Sequence, residues 1–242
     1  MRRENSNVGN NVGNEVENEV GKKMESNAES RGFMIWQILT DTADLSSFAV
    51  IATVIALGYA AERSWKALLA WFGYLAFGLA VVVVSKVAFI GWGIGVRAWD
   101  FTGFSGHAER ATMVMPVLCY TFFRQASATV RHVAVALGFL TALGASLSRY
   151  VLHCHSVSEV IGGALLGSVL AAAFIAGHGR AAAFSRGLPL VLAGGFVLLV
   201  APRMEPGTSQ HLLTDIALRV SGHHQPFTRD QWLRRTFQVV AG

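Results

Sequence analysis

Apolar and polar positions divide the chain into blocks from Leu45 onward. Leu45–Ala61, Ala67–Phe89, Ala111–Phe123, Val130–Leu147, Val160–Ala176 and Leu188–Ala201 are predominantly apolar. Short polar or glycine-rich connections separate them. The first two approach the roughly 20 apolar residues that a helix needs to cross the hydrocarbon core, and the others are read as spans beside them. The third block is short and is expected to borrow a turn at each end. Ahead of them, Phe33–Asp44 is mixed and reads as an interfacial helix with Trp36 at headgroup depth. Residues 1–32 repeat Asn, Glu, Val and Gly without an apolar face or an aromatic, so they read as a disordered polar tail. No apolar core follows Arg2 and Arg3, as a secretory signal would require. Residues 202–242 form a polar C-terminal tail, with an amphipathic segment near Leu212–Val220 and then Trp232 among Arg229, Arg234 and Arg235. The expectation is an all-α, polytopic membrane helix bundle of about six transmembrane helices over residues 33–201.

Composition strengthens that expectation. Of the 242 residues, 52% are hydrophobic and only 14% charged, against about 25% charged in ordinary soluble domains. The chain lacks the polar surface that water requires. Its formal net charge of +5 is spread over the ends of apolar blocks, which fits membrane topology and anionic headgroups, and nucleic acid is not an expected partner. Cys119 lies within an apolar block and Cys154 in a connection, and both read as free thiols.

Six spans place alternate connections on opposite sides. One side holds both tails and the connections 91–110 and 148–159. The other holds three short loops carrying Arg63 and Lys66, Arg124 and Arg131, and Arg180 and Arg186. Short basic loops stay in the cytoplasm, so the first side is expected to face outward.

The outward side also carries the ionisable residues that need explaining. Lys86 stands near the end of the second block, followed by Arg97 and Asp100. Ser105, Gly106 and His107 precede the third block; Ser148, Arg149, His153, His155 and Glu159 occupy the next outward connection. Charges at the membrane are costly and point to function. Lys and Arg beside hydroxyl and backbone donors at a helix start suit an anion, with Ser105 and Gly106 offering free N–H groups and Arg149 a planar fork. Two histidines at separate helix ends supply a nucleophile and a general acid. Glu159, four residues after His155, shares its helical face and can orient the imidazole.

This arrangement resembles the type 2 phosphatidic acid phosphatase (PAP2) superfamily, which also includes the vanadium haloperoxidases. The family pattern is Lys-x6-Arg-Pro, Pro-Ser-Gly-His and Ser-Arg-x5-His-x3-Asp, in that order. The third element is matched by Ser148, Arg149, His155 and Glu159, with Glu in place of Asp. The second is matched by Ser105, Gly106 and His107, with Phe104 in place of Pro. In the first, Lys86 is present but Gly93 stands where Arg is expected, and Arg97 is the nearby substitute. The resemblance covers roughly Lys86–Gly167. It implies His155 as nucleophile, Glu159 as its orienting carboxylate and His107 as general acid. Lys86, Arg97, Ser105, Gly106 and Arg149 would bind the phosphate, with no metal or other cofactor.

The implied activity is metal-independent hydrolysis of a lipid phosphate or pyrophosphate through a phosphohistidine. The implied setting is the outer face of a bacterial inner membrane, with membrane lipids and an amphiphilic phosphorylated substrate as partners. Plainer readings stand beside it. Ser156 and Glu159 form a capping box, and Lys86 and Arg149 suit interfacial anchors. Gly162, Gly163 and Gly167 suit close helix packing. Ser221-Gly222-His223 repeats the tripeptide in the C-terminal tail without basic companions. The rival functions are a catalytically impaired lipid-phosphate-binding protein and a membrane metal protein using His107, His153, Cys154 and His155.

Overall fold

The structure is a computed structural model and describes residues 45–152, 155–179 and 208–232. The expected interfacial helix, N-terminal tail and sixth span fall outside the described residues. So do His153 and Cys154. Within them the chain is all-helical: α1 (Leu45–Ala61), α2 (Trp65–Trp92), a 3-10 turn (Arg97–Trp99), α3 (Gly106–Phe122), α4 (Ala128–Val151), α5 (Val157–His178) and α6 (Thr208–Ser221).

Three of these, α2, α4 and α5, are long and apolar enough to cross a membrane, and Phe48–Ala61 of α1 is a shorter apolar helix. The helices α2, α4 and α5 run further than the apolar blocks, because polar ends can continue a helix beyond the hydrocarbon. At 1.5 Å per residue, the 28 residues of α2 extend about 42 Å. Lys86 lies about 32 Å from Trp65 along that axis, a separation comparable to a hydrocarbon core of about 30 Å. α3 borrows its extra turn only at the N-terminal end, starting at Gly106 rather than Ala111.

The helix termini have local causes. α2 ends at Gly93, whose φ of 69° lets its N–H reach back to the carbonyls of Ala88 and Phe89. Ser127 caps α4 by accepting from the Val130 N–H. Ser156 caps α5, and Glu159 completes the capping box.

α3 is the central helix and packs against both α4 and α5. The main apolar core joins Ile55 and Tyr59 of α1, Trp71 of α2, Val114 and Val117 of α3, and Phe174 of α5. Trp71 donates its indole N–H to the Ala52 carbonyl at 3.0 Å, satisfying a polar atom that burial would otherwise penalise. The outside of the bundle is apolar as well: Leu69, Val84, Leu140, Leu165 and Val169 are exposed. Such a surface is stable in lipid, not in water, and the chain is that of a membrane protein.

Glycines set the closest approaches. A Cβ at Gly163 would fall 2.4 Å from the Ser105 carbonyl oxygen, and one at Gly167 would fall 2.1 Å from that of Glu109. Only glycine at these α5 positions lets the start of α3 lie directly against α5, as small-residue packing between membrane helices allows.

α6 packs against α2 at the end where residues 93–105 and 155–156 lie. α5 ends at the opposite end, where Gly179 meets the Tyr120 ring near the close of α3.

Candidate active site

Two helix starts and one helix end meet at this site. α5 is fixed against α3 by main chain: the Ser105 N–H donates to the Glu159 carbonyl at 3.1 Å. That bond corrects one expectation, since the Ser105 amide is engaged and is not free for an anion. Gly106 opens the first turn of α3, where a helix start leaves amides without intrahelical carbonyl partners. The Phe104 N–H donates to Ser85 Oγ at 3.1 Å, tying the loop to α2. A proline in place of Phe104 would lose that bond. The Phe104 ring meets Phe101 edge-on at 5.1 Å and packs over Gly162.

His155 and Glu159 form the expected pair, with Nδ1 2.8 Å from Oε2. Oε2 also accepts from the Ser156 N–H at 3.3 Å, so the carboxylate caps the helix and holds the imidazole at once. Oε1 accepts from the Thr102 N–H at 2.9 Å, from the Thr102 hydroxyl and from Arg229 Nη2. A carboxylate accepts at about four lone-pair sites, and these donors fill them. With Nδ1 donating to Glu159, His155 keeps Nε2 as its free lone pair. Burial pushes the His155 pKa below its ordinary value of 6.5; the Glu159 hydrogen bond and charge pull it up, while Lys86 and Arg149 add to the lowering. Burial prevails and the ring is neutral at pH 7.

His107 lies in the first turn of α3, with Nδ1 3.4 Å from Arg110 Nη2. Arginine only donates, so Nδ1 accepts and the ring's proton sits on Nε2. Lys86, Arg110, Arg149 and His155 all act electrostatically on His107. The same field reaches Lys86 from Arg110, Arg149 and Glu159. The structure thus brings together Lys86, His107, Arg149, His155 and Glu159, contributed by α2, α3, the end of α4 and the start of α5.

Arg97 does not join them. It is exposed, its guanidinium lies 5.3 Å from the Trp232 ring centroid, and it is not among the charges acting on Lys86, His107 or His155. The cation that joins them is Arg110, one turn after His107, with Nη1 3.1 Å from where a Cβ on Gly106 would stand. Its spacing of three from His107 was the available signal, since i and i+3 share a helix face. Arg229 was also missed, and nothing in the local sequence around it points to Glu159.

Buried polar atoms here that have no hydrogen-bond partner among the described residues include Ser105 Oγ and Arg149 Nε. Orphaned buried donors are costly and call for a ligand. A hydroxyl and a guanidinium beside a helix start and further cations suit a phosphate-type anion. The residues also bear on a metal. Among the described residues no three of His, Cys, Asp and Glu gather as ligands. His153 and Cys154 of the His/Cys cluster lie outside the described residues.

Comparison with known proteins agrees with the geometry. The PAP2 superfamily profile matches residues 91–182. A Klebsiella pneumoniae protein described as an "Uncharacterized 22.5 kDa protein in cps region" is 35% identical over 207 residues, covering 81% of this chain and 96% of its own length. No solved structure matches. The profile spans both histidine motifs, and the relative extends the likeness over most of the chain, so the protein belongs to the PAP2 superfamily.

Proposed function

We propose that the protein is a metal-independent phosphatase acting on a lipid phosphate or pyrophosphate at the outer face of the membrane. The observation that carries this reading is the pair of orphaned donors, Ser105 Oγ and Arg149 Nε, beside an imidazole already oriented by a carboxylate. The phosphoryl group would sit among Lys86, Arg110, Arg149, Ser105 and the first-turn amides of α3. These fixed charges stabilise the transition state as preorganised donors do.

His155 Nε2 attacks phosphorus with its lone pair, the P–O bond to the lipid breaks, and a phosphohistidine forms. Glu159 stabilises the cationic imidazole without taking its proton, as a triad carboxylate does. The incoming phosphate offsets the positive field around His107, which then holds a second proton and passes it to the leaving oxygen. Water next attacks phosphorus, gives a proton back to His107 and cleaves the P–N bond, releasing phosphate and restoring His155.

A position of Lys86 at the edge of the hydrocarbon would let a substrate keep its chains in the bilayer while its headgroup reacts. Outward orientation rests on the basic loops at the other end, where Arg63, Arg124 and Arg131 lie.

The test is phosphate release by detergent-purified protein from phosphatidic acid, phosphatidylglycerol phosphate, polyprenyl pyrophosphate and lipid A phosphates. Release is expected to persist in EDTA and to stop with vanadate. Binding without release from every member would favour the impaired lipid-phosphate-binding protein. Orientation is tested by labelling intact cells with an impermeant thiol reagent after replacing Cys119 and Cys154. Trp99→Cys should react and Gln125→Cys should not; the reverse pattern inverts the topology.

A further inference from the structure

The segment after α6 returns to the active site, though its sequence reads as a polar tail. Its route is fixed by contacts to the end of α2. Ser221 abuts Gly91, where a Cβ would lie 3.1 Å from that of Ser221. The chain turns at Gly222, whose φ is 72°. His223 Nδ1 is 2.7 Å from the Gly91 carbonyl, and the Phe227 N–H donates to the Ile90 carbonyl at 2.9 Å. Those two carbonyls belong to the last turn of α2, which has no amides of its own to offer them. The Phe227 ring lies 2.9 Å from where a Cβ on Gly93 would stand. Trp232 is buried, meets Phe89 edge-on at 5.4 Å and lies under Arg97.

Between these anchors, Arg229 reaches into the site. Its Nη2 bonds Glu159 Oε1 and the Thr102 hydroxyl, the latter at 3.1 Å, and its Nε lies 3.5 Å from Asp100 Oδ1. Glu159 is 1% exposed, and a buried carboxylate needs a counter-charge.

We propose that residues 222–232 form a strap that completes the active site, with Arg229 as the positioning residue that holds Glu159 in line with His155. The proposal rests on the phosphatase reading for its kinetic consequence but not for its docking. Arg229 and the Thr102 donors fix Oε1, so the carboxylate cannot rotate and Oε2 stays on His155 Nδ1. Arg229 also offsets the charge of Glu159, limiting how strongly it draws a proton onto the imidazole. The charged and titratable groups facing His155 are Lys86 from α2, His107 from α3, Arg149 from α4 and Glu159 from α5. Arg229 acts on it only through Glu159.

The strap is tested on the full-length protein in two ways. In a background with Cys119 and Cys154 replaced by Ser, Gly91→Cys with Ser221→Cys should form a disulfide, since the Cβ separation lies close to the usual 3.5–4.5 Å. Failure to cross-link would overturn docking. Arg229→Ala and Arg229→Gln should lower kcat on the fastest-hydrolysed phosphate of the panel by on the order of 10²-fold, with KM changing less than about threefold. Arg229→Lys should recover part of the loss, and added guanidinium should partly rescue Arg229→Ala. The His155 midpoint, followed by NMR of labelled histidine in detergent, should rise in Arg229→Gln, because the carboxylate then lacks its counter-charge. That reading does not depend on turnover. An inactive parent would remove the phosphatase reading while the midpoint and cross-link still judged the strap. A folded Arg229→Gln with unchanged midpoint, or a rise in KM alone, would overturn the positioning role.

Discussion

His155 Nδ1 lies 2.8 Å from Glu159 Oε2, and that carboxylate simultaneously caps the helix on which it stands. Catalytic orientation and helix initiation thus share one side chain. Glu159→Gln keeps the shape but cannot stabilise an imidazolium, and turnover should fall by up to about 10⁴-fold. His155→Ala should abolish turnover together with any acid-labile phosphoenzyme, while the protein still elutes as a folded species in detergent. A phosphoenzyme surviving His155→Ala would place the nucleophile elsewhere.

Burial sets the sign of the pH dependence. Burial pushes the His155 pKa below 6.5, and in the proposed mechanism the neutral ring is the nucleophile. The acid limb of kcat/KM should therefore fall at a pH below 6.5, with activity maintained from there through neutrality. The folded state binds fewer protons than the unfolded one between the two pKa values, so this group's share of stability declines as pH falls through that window. A limb above pH 6.5 that moves with Glu159→Gln would show that the hydrogen bond, not burial, dominates.

Arg110 and Arg97 should separate cleanly. Arg110 lies over Gly106 beside His107, whereas Arg97 is exposed against Trp232. Arg110→Ala should cost about 10²–10³-fold in kcat, the scale of a lost transition-state donor. Arg97→Ala should stay within a few-fold of the parent. Equal losses would mean that Arg97 also reaches the phosphate.

Glycine packing gives a stability test with a built-in control. Gly163→Ala would drive a methyl to 2.4 Å from the Ser105 carbonyl oxygen, while Gly144 has nothing within 4 Å of an added Cβ. Overpacking of this kind costs about 1–3 kcal/mol. Thermal unfolding in detergent should show Gly163→Ala well below the parent and Gly144→Ala at or above it. Activity should fall with Gly163→Ala too, because the clash separates the two histidine motifs.

Long apolar blocks made the helices legible, since a bilayer demands length and hydrophobicity that residue patterns display directly. α1 ends at Ala61, where its block does. The steps linking Arg149, His155 and Glu159 were legible because they run across one short connection and the helix start after it. Arg229 was not, as it meets Glu159 across 70 positions through a turn and several contacts to α2. Arg110 sat in view at the close of the 91–110 connection, just before an apolar block, where an arginine reads equally well as a membrane anchor. The Ser105 amide was misjudged because its partner is a backbone carbonyl, and carbonyl positions leave no trace in residue identity.

Gly93 stands seven positions after Lys86, where relatives of this superfamily are expected to carry arginine. Its left-handed backbone and the Phe227 ring against it leave no room there for a side chain. An arginine at 93 and the returning C-terminal segment are therefore mutually exclusive occupants of one space. Introducing the family's residue through Gly93→Arg would evict Phe227, and with it the grip that brings Arg229 to Glu159. Matching the family pattern at this one position should therefore damage the protein rather than repair it.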